Sequence, residues 1–205
     1  MDRVKVVNAL LARHEIQINQ ATNDGVTPLY IACEKDCVKV VNALLARKEI
    51  QINQADEDGW TPLYTACRND HVKIVNALLA REEIQINHAN DNGATPLFTA
   101  CQNGRLKVVN VLLSRKEIQI NQALNNGATP LYIACEMDRV KVVNALLARK
   151  EIQINQAMND GRTPLYTACE KDHVKIINML LARKEIHINQ ATNDGWTPLH
   201  IACEM

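Results

Sequence analysis

The tetrapeptide Thr-Pro-Leu-aromatic begins at Thr27, Thr61, Thr95, Thr129 and Thr163, and a sixth copy ending in His200 begins at Thr197. Every step is 34 residues. Asp/Asn-Gly before the tetrapeptide, Ala-Cys after it, then Leu-Leu, then Ile-x-Ile-Asn keep the same step. Such self-similarity marks a unit that cannot bury its apolar face alone and gains a core only by stacking. Chain length therefore carries no information on domain count. The sequence divides into a half repeat at 1–21, repeats at 22–55, 56–89, 90–123, 124–157 and 158–191, and a half repeat at 192–205, read together as one solenoid over 1–205.

Within a repeat, Thr27 is placed to cap a helix by accepting a first-turn N–H. Pro28 then takes the first helical position, where its missing N–H costs nothing. Leu29, Ala32 and Cys33 share one face and stop near Asp36. A second helix is expected from about Val38 to Arg47, with Val41, Leu44 and Leu45 buried and Lys39, Asn42 and Arg47 largely on the wet side. Ile50 and Ile52 alternate with Gln51 and Asn53, a strand-like pattern, and Asn23-Asp24-Gly25 supplies a turn that tolerates positive φ. The fold expected is an all-α solenoid of stacked helix-turn-helix units with β-hairpin arms, five complete repeats plus a half repeat at both ends. An interface one helix thick, filled by Leu, Ile, Val, Ala and Cys, explains why only 3% of residues are aromatic.

The run Asp24-Gly25-Val26-Thr27-Pro28-Leu29-Tyr30-Ile31-Ala32-Cys33, then Val40-Val41-Asn42-Ala43-Leu44-Leu45, then Ile52-Asn53 resembles the ankyrin repeat, and the match covers the whole chain. The Trp/Leu-Gly/Tyr pattern of the tetratricopeptide repeat, which also runs at 34, is absent. The resemblance implies a non-catalytic scaffold that binds a protein partner through hairpin tips and the concave face of the first helices. Three departures stand out. The glycine that ends the family's second helix is replaced by charged residues such as Arg47-Lys48, so this helix is expected to run one residue longer or to end by a different turn. The glycine between the helices survives once, as Gly104; elsewhere the position holds Asp36, Asp70, Asp138 and Asp172, which tolerate the left-handed region at some cost. The family's His becomes Tyr30, Tyr64, Phe98, Tyr132 and Tyr166. The column Asn19, Asn53, Asn87, Asn121, Asn155, Asn189 matches the family's Asn, which is expected to bond loop backbone and link adjacent copies.

Charge balances at 23 Lys+Arg against 23 Asp+Glu, which leaves no field to hold a phosphate backbone, so no nucleic-acid partner is expected. No apolar run approaches a membrane span, and the first residues lack a signal-peptide cleavage site, so no membrane association is expected. Six of seven cysteines share one repeat position, and stacked helices about 8–10 Å apart hold them too far apart for disulfides. They read as small buried apolar residues of a protein in a reducing, cytoplasmic or nuclear setting. Cys37 stands where other copies carry His71, Arg105, Arg139 and His173, and reads as an accessible thiol. No Cys-x-x-Cys pair, His cluster or catalytic triad occurs, so neither cofactor, metal nor enzymatic activity is expected.

Copies 22–55 and 158–191 differ at 8 of 34 positions, so the few variable columns are informative. They are the residue after Gly (Val26, Trp60, Ala94, Ala128, Arg162, Trp196), the ends of the first helices (Glu34, Arg68, Gln102; Lys35, Asn69, Met137), and the Ile31/Thr65 column. The resemblance places all of these on arms and concave face. The expected partner-binding residues are Asp58, Trp60, Arg68, Asn69, Met137, Arg162 and Trp196. Copy 56–89 carries six acids and three bases, whereas copy 90–123 carries two acids and four bases. A partner offering a basic and an apolar contact is expected at Trp60, Asp58 and Arg68. Alternative readings are head-to-tail self-association of ends not rewritten as polar caps, and a designed or excised scaffold. Met1 and Met205 hold the same repeat position, as a slice cut from a longer array would.

Overall fold

A computed structural model of the protein describes residues 3–204. Among them are twelve helices and no strand. Helix α1 (Arg3–Leu11) precedes five pairs: α2 (Pro28–Glu34) with α3 (Val38–Leu45), α4 (Pro62–Arg68) with α5 (Val72–Leu79), α6 (Pro96–Gln102) with α7 (Leu106–Leu113), α8 (Pro130–Glu136) with α9 (Val140–Leu147), and α10 (Pro164–Glu170) with α11 (Val174–Leu181). Helix α12 (Pro198–Glu204) comes last. First helices pack on first helices of adjacent repeats and on their own second helices, and the second helices form a second row.

Local chemistry sets each boundary. The extended Thr27 accepts the Tyr30 amide at 3.1 Å with Pro28 just inside the helix, and Thr61, Thr95, Thr129 and Thr163 repeat the cap. The first helix ends in a left-handed turn: Asp36, Asp70, Asp138 and Asp172 have φ of 53, 63, 52 and 53°, and Gly104 has 68°. At α6 the Arg105 amide reaches back to the Ala100 carbonyl at 2.9 Å and the Gly104 amide to the Cys101 carbonyl at 3.1 Å, the paired bonds that close a helix through a left-handed residue. Aspartate thus does glycine's conformational work four times.

The second helix ends differently. It stops at Leu45, two residues short of the expected Arg47; Ala46 stays right-handed, and the Arg47 amide bonds the Leu44 carbonyl in a tighter turn. No left-handed residue covers the last carbonyls. At α1, α3, α5 and α7 the arginine of the next repeat does so instead. Arg47 donates to the Leu11 carbonyl at 3.0 Å, Arg115 to Leu79 at 2.7 Å, and Arg81 and Arg149 to Leu45 and Leu113. Arg47 is therefore not simply solvated: its stem and head lie across a repeat boundary. This cationic cap from the neighbour takes over the function of the absent glycine.

The expected β-hairpin arms are not formed as strands. Ile50 and Ile52 are both buried, but the chain passes them in two successive turns, closed by Ile50 N–H to Arg47 and Gln54 N–H to Gln51. The backbone groups a ladder would need are taken by the asparagine column. Asn53 donates to the Glu83 carbonyl at 2.7 Å and accepts from the Gln85 amide at 2.9 Å; Asn19, Asn87, Asn121 and Asn155 do the same one repeat on. Each arm is a five-residue loop, closed in copy 56–89 by Asp56 N–H to Trp60 and Gly59 N–H to Asp56. Successive arms touch closely. A Cβ on Gly161 would lie 2.7 Å from the Asn193 nitrogen, and φ there is 88°.

The core runs unbroken through the stack. Leu29, Leu63, Leu97, Leu131 and Leu165 are at most 2% exposed. Cys33, Cys67, Cys101 and Cys135 are buried, Cys169 is half-buried and Cys203 exposed; all seven cysteines are free. Burial pushes the four buried thiols far above the usual range. The Ile31/Thr65 column needs correction. Thr65, Thr99, Ile133 and Thr167 are buried between repeats, so their variation answers packing and not a partner. Where the preceding repeat offers Tyr30, Tyr64 or Tyr132, the column holds Thr, and where it offers Phe98 it holds Ile133, but Tyr166 is followed by Ile201. Three of the phenols, Tyr30, Tyr64 and Tyr132, thus face a threonine hydroxyl of the next repeat. Burial raises the Tyr64 and Tyr132 phenols, and the facing Thr99 and Thr167 hydroxyls partly oppose that rise.

Candidate partner-binding site

The variable residues left facing solvent lie on the arms and the ends of the first helices. In copy 56–89 the arm is held by Asp56, whose Oδ1 accepts the Asp58 amide at 3.2 Å and the Trp60 amide at 2.8 Å. That loop delivers Trp60 onto α4. Residues 60, 64 and 68 are four apart, so arm and helix bring them onto one face. The Trp60 and Tyr64 rings meet edge-to-face with centroids 4.3 Å apart, and the Arg68 guanidinium carbon lies 5.2 Å from the Trp60 ring centroid. An arginine over an indole contributes roughly 0.5–2 kcal/mol, depending on how far it is desolvated.

The structure thus brings Trp60 and Arg68 together and adds Tyr64, noted in the sequence only as a replacement of the family's His. Asn69 follows Arg68 as the half-buried helix cap, and Asp58 stands exposed at the arm tip beside the exposed Glu57. The remaining expected residues lie elsewhere on the array. Met137, at the end of α8, is 39% exposed. Arg162 pairs with Asp160 at 2.8 Å and reaches Glu170 at 3.8 Å; Arg162 and Glu170 stand at the repeat positions that Trp60 and Arg68 hold in copy 56–89. Burial opposes ionisation of Asp160, but the Arg162 amide and guanidinium outweigh it and hold the carboxyl below its ordinary range. Trp196 is 39% exposed and meets His200 edge-on at 6.1 Å. Between Trp60 and Arg162 the same column carries the buried Ala94 and Ala128, so two low steps separate the projecting side chains.

Electrostatically, the acids dominate the arm. Burial and the neighbouring Asp56 carboxylate push the Tyr30 phenol up to about 12. Between repeats, a second set of side chains proves structural. His71 and His173 bond the Cys33 and Cys135 carbonyls through Nδ1 at 2.8 Å, and Arg105 and Arg139 donate to the Arg68 and Gln102 carbonyls at 3.0 Å. These cover the ends of the preceding first helices. Helix α2 is the first such helix among the described residues, and Cys37 has none to cover; its thiol turns to the Lys35 carbonyl at 3.5 Å. No group of three or more His, Cys, Asp or Glu among the described residues could hold a metal ion, and no helix is long and apolar enough to cross a membrane.

The family model of ankyrin repeats in three copies matches residues 2–90, 49–123, 82–158 and 150–205. The protein belongs to the ankyrin repeat family. Among 566 matching solved chains is the crystal structure of the human ASB11 ankyrin repeat domain. It aligns with a TM-score of 0.82 at 26% identity, over 98% of this chain and 87% of that one. A comparison with curated protein sequences returns no match. Ankyrin repeats are generally protein–protein interaction modules, and as a family they act as non-catalytic scaffolds. Within that frame, the arms and first-helix ends are where this ankyrin array varies at exposed positions, while the lateral asparagine clamp recurs from Asn19 to Asn155.

Proposed function

We propose that this protein is an interaction scaffold that grips a protein partner across its arms and the first-helix row, with the Trp60–Arg68 face of copy 56–89 as the principal contact. The observation that carries this reading is the exposed Arg68 stacked on a half-buried Trp60 that packs on the core, braced by Tyr64 and flanked by the exposed acids Glu57 and Asp58. Aromatic and arginine side chains on a rigid support dominate binding energy at protein interfaces, because they bury much area at little entropic cost. The matching partner offers an apolar group for the indole and a basic group for Glu57 and Asp58. Met137, Arg162 and Trp196 extend the contact along the same rows. The free, buried thiols favour a reducing compartment, the cytoplasm first.

Quantitative capture from host extract tests this. Wild type, Trp60→Ala and Lys107→Ala are immobilised in parallel; Lys107 is exposed on α7, in the other helix row. Proteins retained by wild type and Lys107→Ala but lost from Trp60→Ala support the site. Equal retention by all three refutes it.

A further inference from the structure

Charge in this chain is balanced in total but not in space. The second helices α3, α5, α7, α9 and α11 contain no acid, and each presents one exposed lysine in the same column: Lys39, Lys73, Lys107, Lys141 and Lys175. None of the five makes an ion pair among the described residues. One copy stands out along the column. Of the five, only Lys107 has no aspartate three residues before it, because Gly104 takes the place of Asp36, Asp70, Asp138 and Asp172. Among the described residues Arg115 also lacks the ion pair that Arg47, Arg81, Arg149 and Arg183 make with the glutamate two residues on. Segments 104–117 and 138–151 together hold eight bases and three acids, in a chain whose net charge is zero.

The same two repeats carry a groove of about 550 Å³ on the second-helix row. Leu106 of α7, Val140 and Ala145 of α9 and Met179 of α11 line it, all half-buried against the core. The exposed Asn110, Lys141 and Asn144 line it too. Its depth follows from one column: residue 145 is alanine where the neighbouring copies have the larger Val111 and Met179. Helices α7 and α9 each have a second helix packed on both sides, so the groove is a feature of the array's interior.

We propose that this face docks an acidic amphipathic helix of a second protein, with an apolar side chain seated over Ala145 and carboxylates on Lys107 and Lys141. Stacked helices lie about 8–10 Å apart, which sets the spacing of lysines one repeat apart. At about 1.5 Å per residue, positions i and i+7 of a helix span roughly 10 Å and share a face, with i+3 and i+4 between them. Two glutamates and an intervening leucine therefore meet both lysines and the groove at once. An extended chain covers that distance in about three residues, which turns its two acids to opposite sides. A nucleic acid fits less well, because the groove is apolar and the second helices offer no aromatic ring on which a base could stack. This partner is distinct from the one at Trp60, whose flanking acids call for a base. A protein held on this face is weakened by Lys107→Ala and kept by Trp60→Ala, the reverse of the pattern at the arms.

Fluorescence anisotropy on the full chain tests this, with a labelled synthetic helical peptide carrying Glu at i and i+7 and Leu at i+3 and i+4. Wild type is expected to bind it in about 50 mM salt and at least about fivefold more weakly in about 500 mM, where screening falls below the lysine spacing. The double variant Lys107→Glu, Lys141→Glu is expected to lose at least about tenfold. Both side chains are exposed, and circular dichroism verifies that the variant keeps its helices. A peptide with serine in place of both leucines is expected to bind wild type at least about fivefold more weakly. Trp60→Ala is expected to bind the parent peptide as wild type does, which separates this contact from the partner site. No binding by wild type in low salt, equal binding by the double variant, equal binding of the serine peptide, or tighter binding of a labelled single-stranded RNA of the same charge overturns the proposal.

Discussion

Asn87→Ala removes two bonds between repeats at once: the amide's donation to the Glu117 carbonyl at 2.8 Å and its acceptance from the Gln119 amide at 2.9 Å. A protein hydrogen bond contributes a net of about 0.5–1.5 kcal/mol, which sets a range of roughly 1–3 kcal/mol for the pair. Both backbone groups lie at the surface and rehydrate when the side chain goes, so the expected loss is in the lower part, about 1–1.5 kcal/mol. Asn189 supplies the control. It holds the same repeat position but bonds nothing within the chain, so Asn189→Ala is expected within about 0.5 kcal/mol of wild type. Urea unfolding, followed by far-ultraviolet circular dichroism at a concentration where the chain is monomeric, compares the two. Coupling between neighbours transmits the Asn87 loss through the array as a lower midpoint. Equal losses for the two variants, or an Asn87→Ala midpoint equal to wild type, would refute the assignment of this column as the lateral clamp.

Further outcomes follow from the same geometry. Asp70→Gly relieves a left-handed aspartate and removes a buried oxygen that has no hydrogen-bond partner, and is expected to raise stability by about 1 kcal/mol in urea titration. The reverse change, Gly104→Asp, is expected to destabilise, since a Cβ there would lie 2.9 Å from Arg139 Cδ and Arg139 must shift. The Glu83 carboxyl is held below its ordinary range by its own backbone amide and by Arg81, which it meets at 2.6 Å. A depressed folded-state value gives stability that is present above the unfolded pKa and lost as pH falls through the folded one. The melting-temperature difference between wild type and Glu83→Gln is therefore expected at pH 7 and to vanish with acidification below the carboxylate range. Thiol labelling under native conditions is expected to modify Cys37 and Cys203 quickly, Cys169 slowly, and Cys33, Cys67, Cys101 and Cys135 only on unfolding.

The sequence carries the local part of this architecture openly. Thr27-Pro28 starts a helix for reasons contained in two residues, Asp36 stands where a left-handed turn is required, and Leu29 and Cys33 mark the buried face. The asparagine column is readable as well, because its repetition invites a lateral role. What escapes a sequence reading depends on partners far along the chain. Nothing around Arg47 indicates that its target is a carbonyl 36 residues earlier, so it reads as a solvated charge. Ile50 and Ile52 alternate as a strand would, yet two consecutive turns bury both, while an asparagine side chain takes the hydrogen bonds a ladder would use. The Ile31/Thr65 column looks like surface variation until the burial of Thr65, Thr99, Ile133 and Thr167 between repeats is seen. Trp60 and Arg68 are visible as unusual residues in their columns; their stacking, and the bracing by Tyr64, follow only once the arm is folded onto α4.

The central claim is that a partner is recognised on the arm and first-helix row at copy 56–89. Hydrogen–deuterium exchange on the protein with a captured partner tests it most directly. Slowed exchange in residues 56–69, with residues 106–117 unchanged, is the predicted result. Slowed exchange confined to residues 106–117, with 56–69 exchanging as in the free chain, would contradict the account.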